Sequence, residues 1–189
     1  MNRIPAIIEA LCYILTKLQK ADKIHLVKVM YLADKYHIMN YGRTISGDDF
    51  FALAHGPAGS HTMDVLEFDS YVLNKDMDYA KSLIETADGK EYHPAKSCVI
   101  DDFEMISESD IEALDFVIEN FGKMNKWDVV DYTHQLKEWK QFEPLFRNGE
   151  TKREAIKITD LLLNPNDKYF SVPEEHIKES LQIVTGSID

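Results

Sequence analysis

Cysteine is scarce in this chain of 189 residues, with two copies, Cys12 and Cys98. No Cys-x-x-Cys pair is available for a zinc knuckle or a dithiol redox centre. Cys12 sits in a helix-like apolar run and Cys98 in a strand-like one, Ser97-Cys98-Val99-Ile100, so two separate buried thiols are expected. Long apolar runs are missing too, and none approaches the roughly 20 residues that span a bilayer. The start, Met1-Asn2-Arg3-Ile4-Pro5, leads into an amphipathic pattern rather than a signal peptide, which points to a cytoplasmic protein. There is no Gly-x-Ser-x-Gly elbow, no Gly-x-Gly-x-x-Gly and no phosphate loop. These absences remove the commonest hydrolase and nucleotide chemistries.

Positive charge is in deficit. The net charge is −12, distributed unevenly. Residues 1–60 carry seven Lys/Arg against five Asp/Glu, residues 61–125 five against sixteen, and residues 126–189 nine against twelve. The acidic middle repels phosphate backbones, so direct nucleic-acid binding is not expected, whereas a basic protein partner would be attracted.

What is present is helical periodicity. Ile4, Ile7, Ile8, Leu11, Leu15 and Leu18 recur at helical spacing and predict a first, central helix. Asp22 can cap a second helix that runs to about Asn40, with Ile24, Val27, Met30, Tyr31 and Ile38 on one face and Gly42 at its stop. The period then changes. Ile45–Asp49 reads as a turn, Phe50–Ala54 as a short strand, and Gly56-Pro57 as a bend. A third helix is expected from Ser60 to Phe68. Asp88-Gly89 between two β-prone stretches predicts a hairpin, to which Lys96–Ile100 would add a third strand. Ser107-x-x-Asp110 heads a helix that ends at Gly122, and Asn125 begins another, with Val129, Val130, Thr133 and Leu136 inward. A last helix after Pro173 carries Ile177, Leu181 and Val184, preceded by the polar stretch Asn164–Lys168. The fold class is α+β and mainly α-helical: about six helices with a small antiparallel sheet or hairpin. One domain over 1–164 is expected, with a C-terminal helix over 165–189 packed on it.

Two residues stand out on the second helix. Asp34 falls on the apolar stripe, where a carboxylate must be paired or hydrogen-bonded. The plain reading is an acid that accepts backbone N–H groups from the irregular segment that follows. Lys28, on the border of the stripe, reads from the sequence alone as a lysine that snorkels to the surface. His55, His61 and Asp64 form the best candidate for chemistry, a trio that could hold a divalent metal in a metal-dependent hydrolase. Spacing this loose recurs by chance, so neither a metal nor another cofactor is expected.

The order Lys28-x-x-Tyr31-x-Ala33-Asp34, then Tyr41-Gly42-Arg43, Ile45-Ser46-Gly47-Asp48, and Phe51 followed by an alanine and His55-Gly56-Pro57, resembles the Panacea domain of SocA-like antitoxins. The resemblance is tight over about thirty residues and looser around Trp127, Thr133-His134 and Trp139; Ala58 stands where the family often has valine. It implies a non-catalytic antitoxin, of a toxin–antitoxin system in a chromosomal or prophage locus, that neutralises a cognate toxin by direct binding; the acidic charge distribution adds the expectation that this toxin is basic. Lys28, Tyr31, Asp34, Tyr41, Gly42, Arg43, Gly47, Asp48, Phe51, His55, Gly56 and Pro57 would form the signature and partner-binding region. A phage-related adaptor that binds a host factor is the other reading without chemistry.

Overall fold

The computed structural model describes residues 3–186; Met1 and Asn2, which belong to the leader-free reading of the N-terminus, and residues 187–189 of the expected C-terminal helix segment lie outside them. The chain is mainly helical with two small antiparallel sheets. Among the described residues no helix is long and apolar enough to cross a membrane.

Helices α1 (Ile4–Leu18) and α2 (Lys23–Tyr41) form the centre. Pro5 stands in the first turn of α1, where its missing N–H costs nothing. Asp22 caps α2 by accepting the His25 N–H at 3.1 Å. Gly42 closes α2 in the left-handed conformation, and its N–H reaches the Ile38 carbonyl at 3.0 Å. Residues 25–35 of α2 are buried without a break. The sequence suggests a one-sided stripe there, but α2 is covered on all sides, and Lys28, Lys35 and His37 go inside with it.

Strands β2 (Phe50–Leu53) and β3 (Gly56–Gly59) form a tight hairpin, with Leu53 opposite Gly56 and Phe51 opposite Ala58. Gly56-Pro57 therefore opens a strand instead of bending the chain away. The turn is Ala54-His55, and Gly56 at φ +95° supplies the backbone twist. Strand β6 (Arg153–Ala155), which alternation did not reveal, pairs with the other edge of β2. The second sheet joins β1 (Ala21–Asp22) to β5 (Glu91–Pro94) and β4 (Ile84–Thr86), and contains the hairpin expected around Asp88-Gly89. Lys96–Ile100 is a loop rather than a third strand. That loop folds back on α1 and brings Cys98 beside Cys12, so the two cysteines expected to lie apart are neighbours.

Helix α3 (Ser60–Leu66) follows β3 directly. The short α4 (Ser70–Leu73) leads to α5 (Met77–Leu83), which packs on α1. Helix α6 (Glu108–Phe121) starts with a full capping box, in which Ser107 and Asp110 satisfy each other's backbone N–H. The helix expected from Asn125 breaks at His134 into α7 (Lys126–Thr133) and α8 (Lys137–Lys140), followed by α9 (Glu143–Arg147). Helix α10 (Glu174–Thr185) lies on α2, where Ser180 donates to the Met39 carbonyl at 3.1 Å. Its expected inward residue Leu181 is 41% exposed, while Ile177 and Val184 are partly covered. Leu181 is one position from Ser180, and the seat on α2 turns Ser180 inward.

Candidate functional site

The stretch from Lys28 to Pro57 is one continuous device: helix, loop, hairpin. Its loop carries few apolar side chains, so buried acids hold it. The Asp34 carboxylate accepts the N–H of Ile45 at 2.8 Å, the N–H of Ser46 at 2.9 Å and the Ser46 hydroxyl at 2.6 Å. The plain reading of this acid is thus what the structure contains. Burial pushes the carboxyl up to about 7, against those three donors and with Asp48 adding to the rise.

Asp48 works on the opposite side of the loop. It accepts the His61 N–H, the Thr62 N–H and the Thr62 hydroxyl, each at 2.8 Å, and so caps α3 from the loop before the hairpin. Gly59 makes this possible, because a side chain there would collide with Asp48 Oδ2. Gly47, at φ +60°, turns the chain between the two acids and donates its N–H to Thr44 Oγ1.

Tyr31 is buried, with its ring edge-on to Phe50 at 5.7 Å and its hydroxyl donated to Glu138 Oε1 at 3.0 Å. Tyr41, 39% exposed, donates to Glu112. Arg43 reaches Asp110 at 2.9 Å and the Ser107 hydroxyl at 3.0 Å. Burial alone would raise the Asp110 carboxyl, but His37, Arg43 and Ser107 outweigh it and hold it well below the usual carboxylate range. Phe51 lies under the Arg153 guanidinium, 3.4 Å from ring centre to Cζ. Pro57 gives its carbonyl to Lys28 Nζ at 2.6 Å. Lys28 does not snorkel: it is 3% exposed, because β3 and α7 close over it.

The proposed metal trio is not assembled. His61 turns its Nδ1 to Asp48 at 3.0 Å, and His55 packs against Trp127 with ring centres 5.9 Å apart. Among the described residues no three His, Cys, Asp or Glu side chains are grouped to hold a metal. His37 does contact both Ser109 Oγ at 3.0 Å and Asp110 at 3.1 Å, but through the same Nε2, while Nδ1 faces the Arg43 carbonyl. A nucleophile relay needs the serine and the acid on different ring nitrogens.

Sequence reasoning missed the ion pair beneath the segment. Lys35 Nζ meets Glu138 Oε1 at 2.9 Å, both side chains fully buried, and donates to the Leu161 and Leu163 carbonyls. Burial lowers the Lys35 ammonium and Glu138 opposes that shift. A signal existed: Lys35 follows Lys28 by seven positions, so both lie on the face that Tyr31 occupies. His134, in contrast, is a residue that helical spacing does not mark as a site. It stacks on Trp139 at 3.9 Å, and burial, helped by Lys28, pushes its imidazole below the ordinary value.

Beside the β2–β3 turn lies a pocket of about 430 Å³, which exposed His55 lines and exposed Tyr41 does not. Ile24, Val27, Leu53, Ala58 and Met63 line it, with Lys23, Lys28, His55 and Lys152 supplying polarity. Trp127, 48% exposed, stands beside it through His55.

The architecture is thus a mainly α domain whose central helix and hairpin are joined by a loop that two buried carboxylates hold in place. The family model described as antitoxin SocA-like, Panacea domain, matches residues 26–140, more than half of the chain. The chain belongs to the SocA-like antitoxin family and contains its Panacea domain. Comparison with curated proteins and with solved structures gave no match.

Proposed function

We propose that this chain neutralises a toxin protein by binding it directly, in the cytoplasm, and performs no catalysis. Family membership over residues 26–140 carries the reading, since an antitoxin's partner is a toxin. The local geometry is consistent with it. Most of the signature is buried and builds the scaffold, while the β2–β3 turn at Ala54-His55, the half-exposed Trp127 and the adjoining pocket offer an apolar and aromatic surface of the kind that dominates protein interfaces. The acidic stretch over residues 61–125 favours a basic toxin and speeds encounter with it.

The test is co-expression of the chain with the neighbouring gene. The expected result is that the neighbour alone arrests growth and the pair does not, with the two proteins co-purifying. A neighbour that is harmless, or whose toxicity persists beside this chain, overturns the reading. Co-purification with a harmless host factor would favour the adaptor instead.

A further inference from the structure

Lys28 is a buried lysine without a carboxylate partner. Its Nζ has one hydrogen-bond partner among the described residues, the Pro57 carbonyl, and no carboxylate within ion-pair distance. A buried ammonium normally pairs with an acid, as Lys35 does with Glu138 seven residues further along the same helix. The contrast between the two lysines is what requires explanation.

The surroundings of Lys28 have the character of a binding site. Gly56 brings the backbone so close that a Cβ there would lie 2.7 Å from Thr133 Oγ1, 3.1 Å from Lys28 Nζ and 3.3 Å from His134 Cδ2. His134 Nε2, next to that carbon in the ring, is buried and has no hydrogen-bond partner among the described residues. Two under-satisfied nitrogen groups therefore converge on Gly56, and both Gly56 and Lys28 line the pocket of about 430 Å³. Ile24, Val27, Leu53, Ala58 and Met63 make the walls largely apolar; of the other polar lining residues Lys23 is paired with Glu67, and His55 and Lys152 complete the lining. The room suits one side chain, the walls suit an apolar one, and the floor suits a negative charge.

We infer that this pocket accepts an apolar residue and an adjoining carboxylate of the bound toxin, with Lys28 as the counter-ion. The inference rests on the toxin-binding reading for the identity of the occupant. Charge complementarity selects the carboxylate: the toxin is steered by its overall basic charge and anchored by one acid. Entry of the carboxylate supplies the pair that Lys28 lacks.

The probe is hexanoate, followed by methyl and amide NMR, with hexanol and inorganic phosphate as comparisons. Hexanoate is expected to bind saturably, at least about tenfold more tightly than hexanol, a difference of about 1.4 kcal/mol, shifting Ile24, Val27, Met63 and Gly56. Lys28→Met is expected to reduce hexanoate to the level of hexanol. Should that variant not fold, the Lys28 ammonium titration in the unaltered chain serves: hexanoate must move it to higher pH. Hexanoate binding no tighter than hexanol, an unmoved titration, or tighter binding of phosphate overturns the inference. With the co-purified complex, excess hexanoate is expected to weaken the toxin's hold; a complex indifferent to saturating hexanoate overturns the assignment of the occupant. Neutralisation without hexanoate binding removes this inference alone, and hexanoate binding without neutralisation removes the antitoxin reading.

Discussion

At the scale of single residues, buried Asp34 and Asp48 each hold several backbone N–H groups or hydroxyls, whereas buried Lys28 holds one carbonyl. Replacing Asp34 with alanine leaves two backbone N–H groups and a hydroxyl without an acceptor. We expect a loss of about 3 kcal/mol or more by chemical denaturation, and no loss would refute the anchoring role. Lys28 gives a pH signature of definite sign. Burial lowers its ammonium to about 7 from 10.5, so between those values the unfolded chain holds the extra proton and stability rises with pH. The slope from this group is at most about 1.4 kcal/mol per pH unit. Stability of the unaltered chain minus that of Lys28→Met should climb from about pH 7 to about pH 10; a flat difference would contradict the burial of this amine.

At the scale of elements, the fold depends on places where backbones come close. Gly42 ends α2 at φ +69°, and a Cβ there would fall 2.7 Å from Ile183 of α10. Gly42→Ala should therefore lower stability by about 1–3 kcal/mol through both effects. Adding Ile183→Ala should restore part of the loss, because it relieves the collision and leaves the strained φ. Thermal melts of the two variants check this, and no recovery would place the whole cost in the backbone. Asp48 provides the parallel at α3, where a loop acid substitutes for a cap that Gly59 cannot provide.

At the scale of the molecule, the Lys35–Glu138 pair joins the central helix to α8 and to the Leu161–Leu163 stretch. Removing one partner strands a buried charge, and Glu138→Ala should cost about 3–5 kcal/mol. A Lys35→Met, Glu138→Leu double variant should cost less than either single change. A double variant worse than both would show that the pair is held by more than mutual neutralisation. Charge over the whole surface predicts kinetics: association with a basic toxin should slow as salt rises, as stopped-flow mixing would reveal.

How far the sequence reaches can be read from particular residues. Helical period, the Asp22 cap, the Gly42 stop and the Ser107–Asp110 box are local, and each places an element where the structure has it. The anchoring role of Asp34 followed from one carboxylate on an apolar stripe. Strand β6 and the burial of Lys28 depend on partners far along the chain, which periodicity does not encode: Ala155 lies opposite Phe51, and Lys28 meets Pro57. The motif from Lys28 to Pro57 thus marked the family and the loop by itself, since the order of residue types is a property of the chain. Which of its residues support and which face outward was decided only by packing, because a lysine on a helix border is surface or floor according to what folds over it.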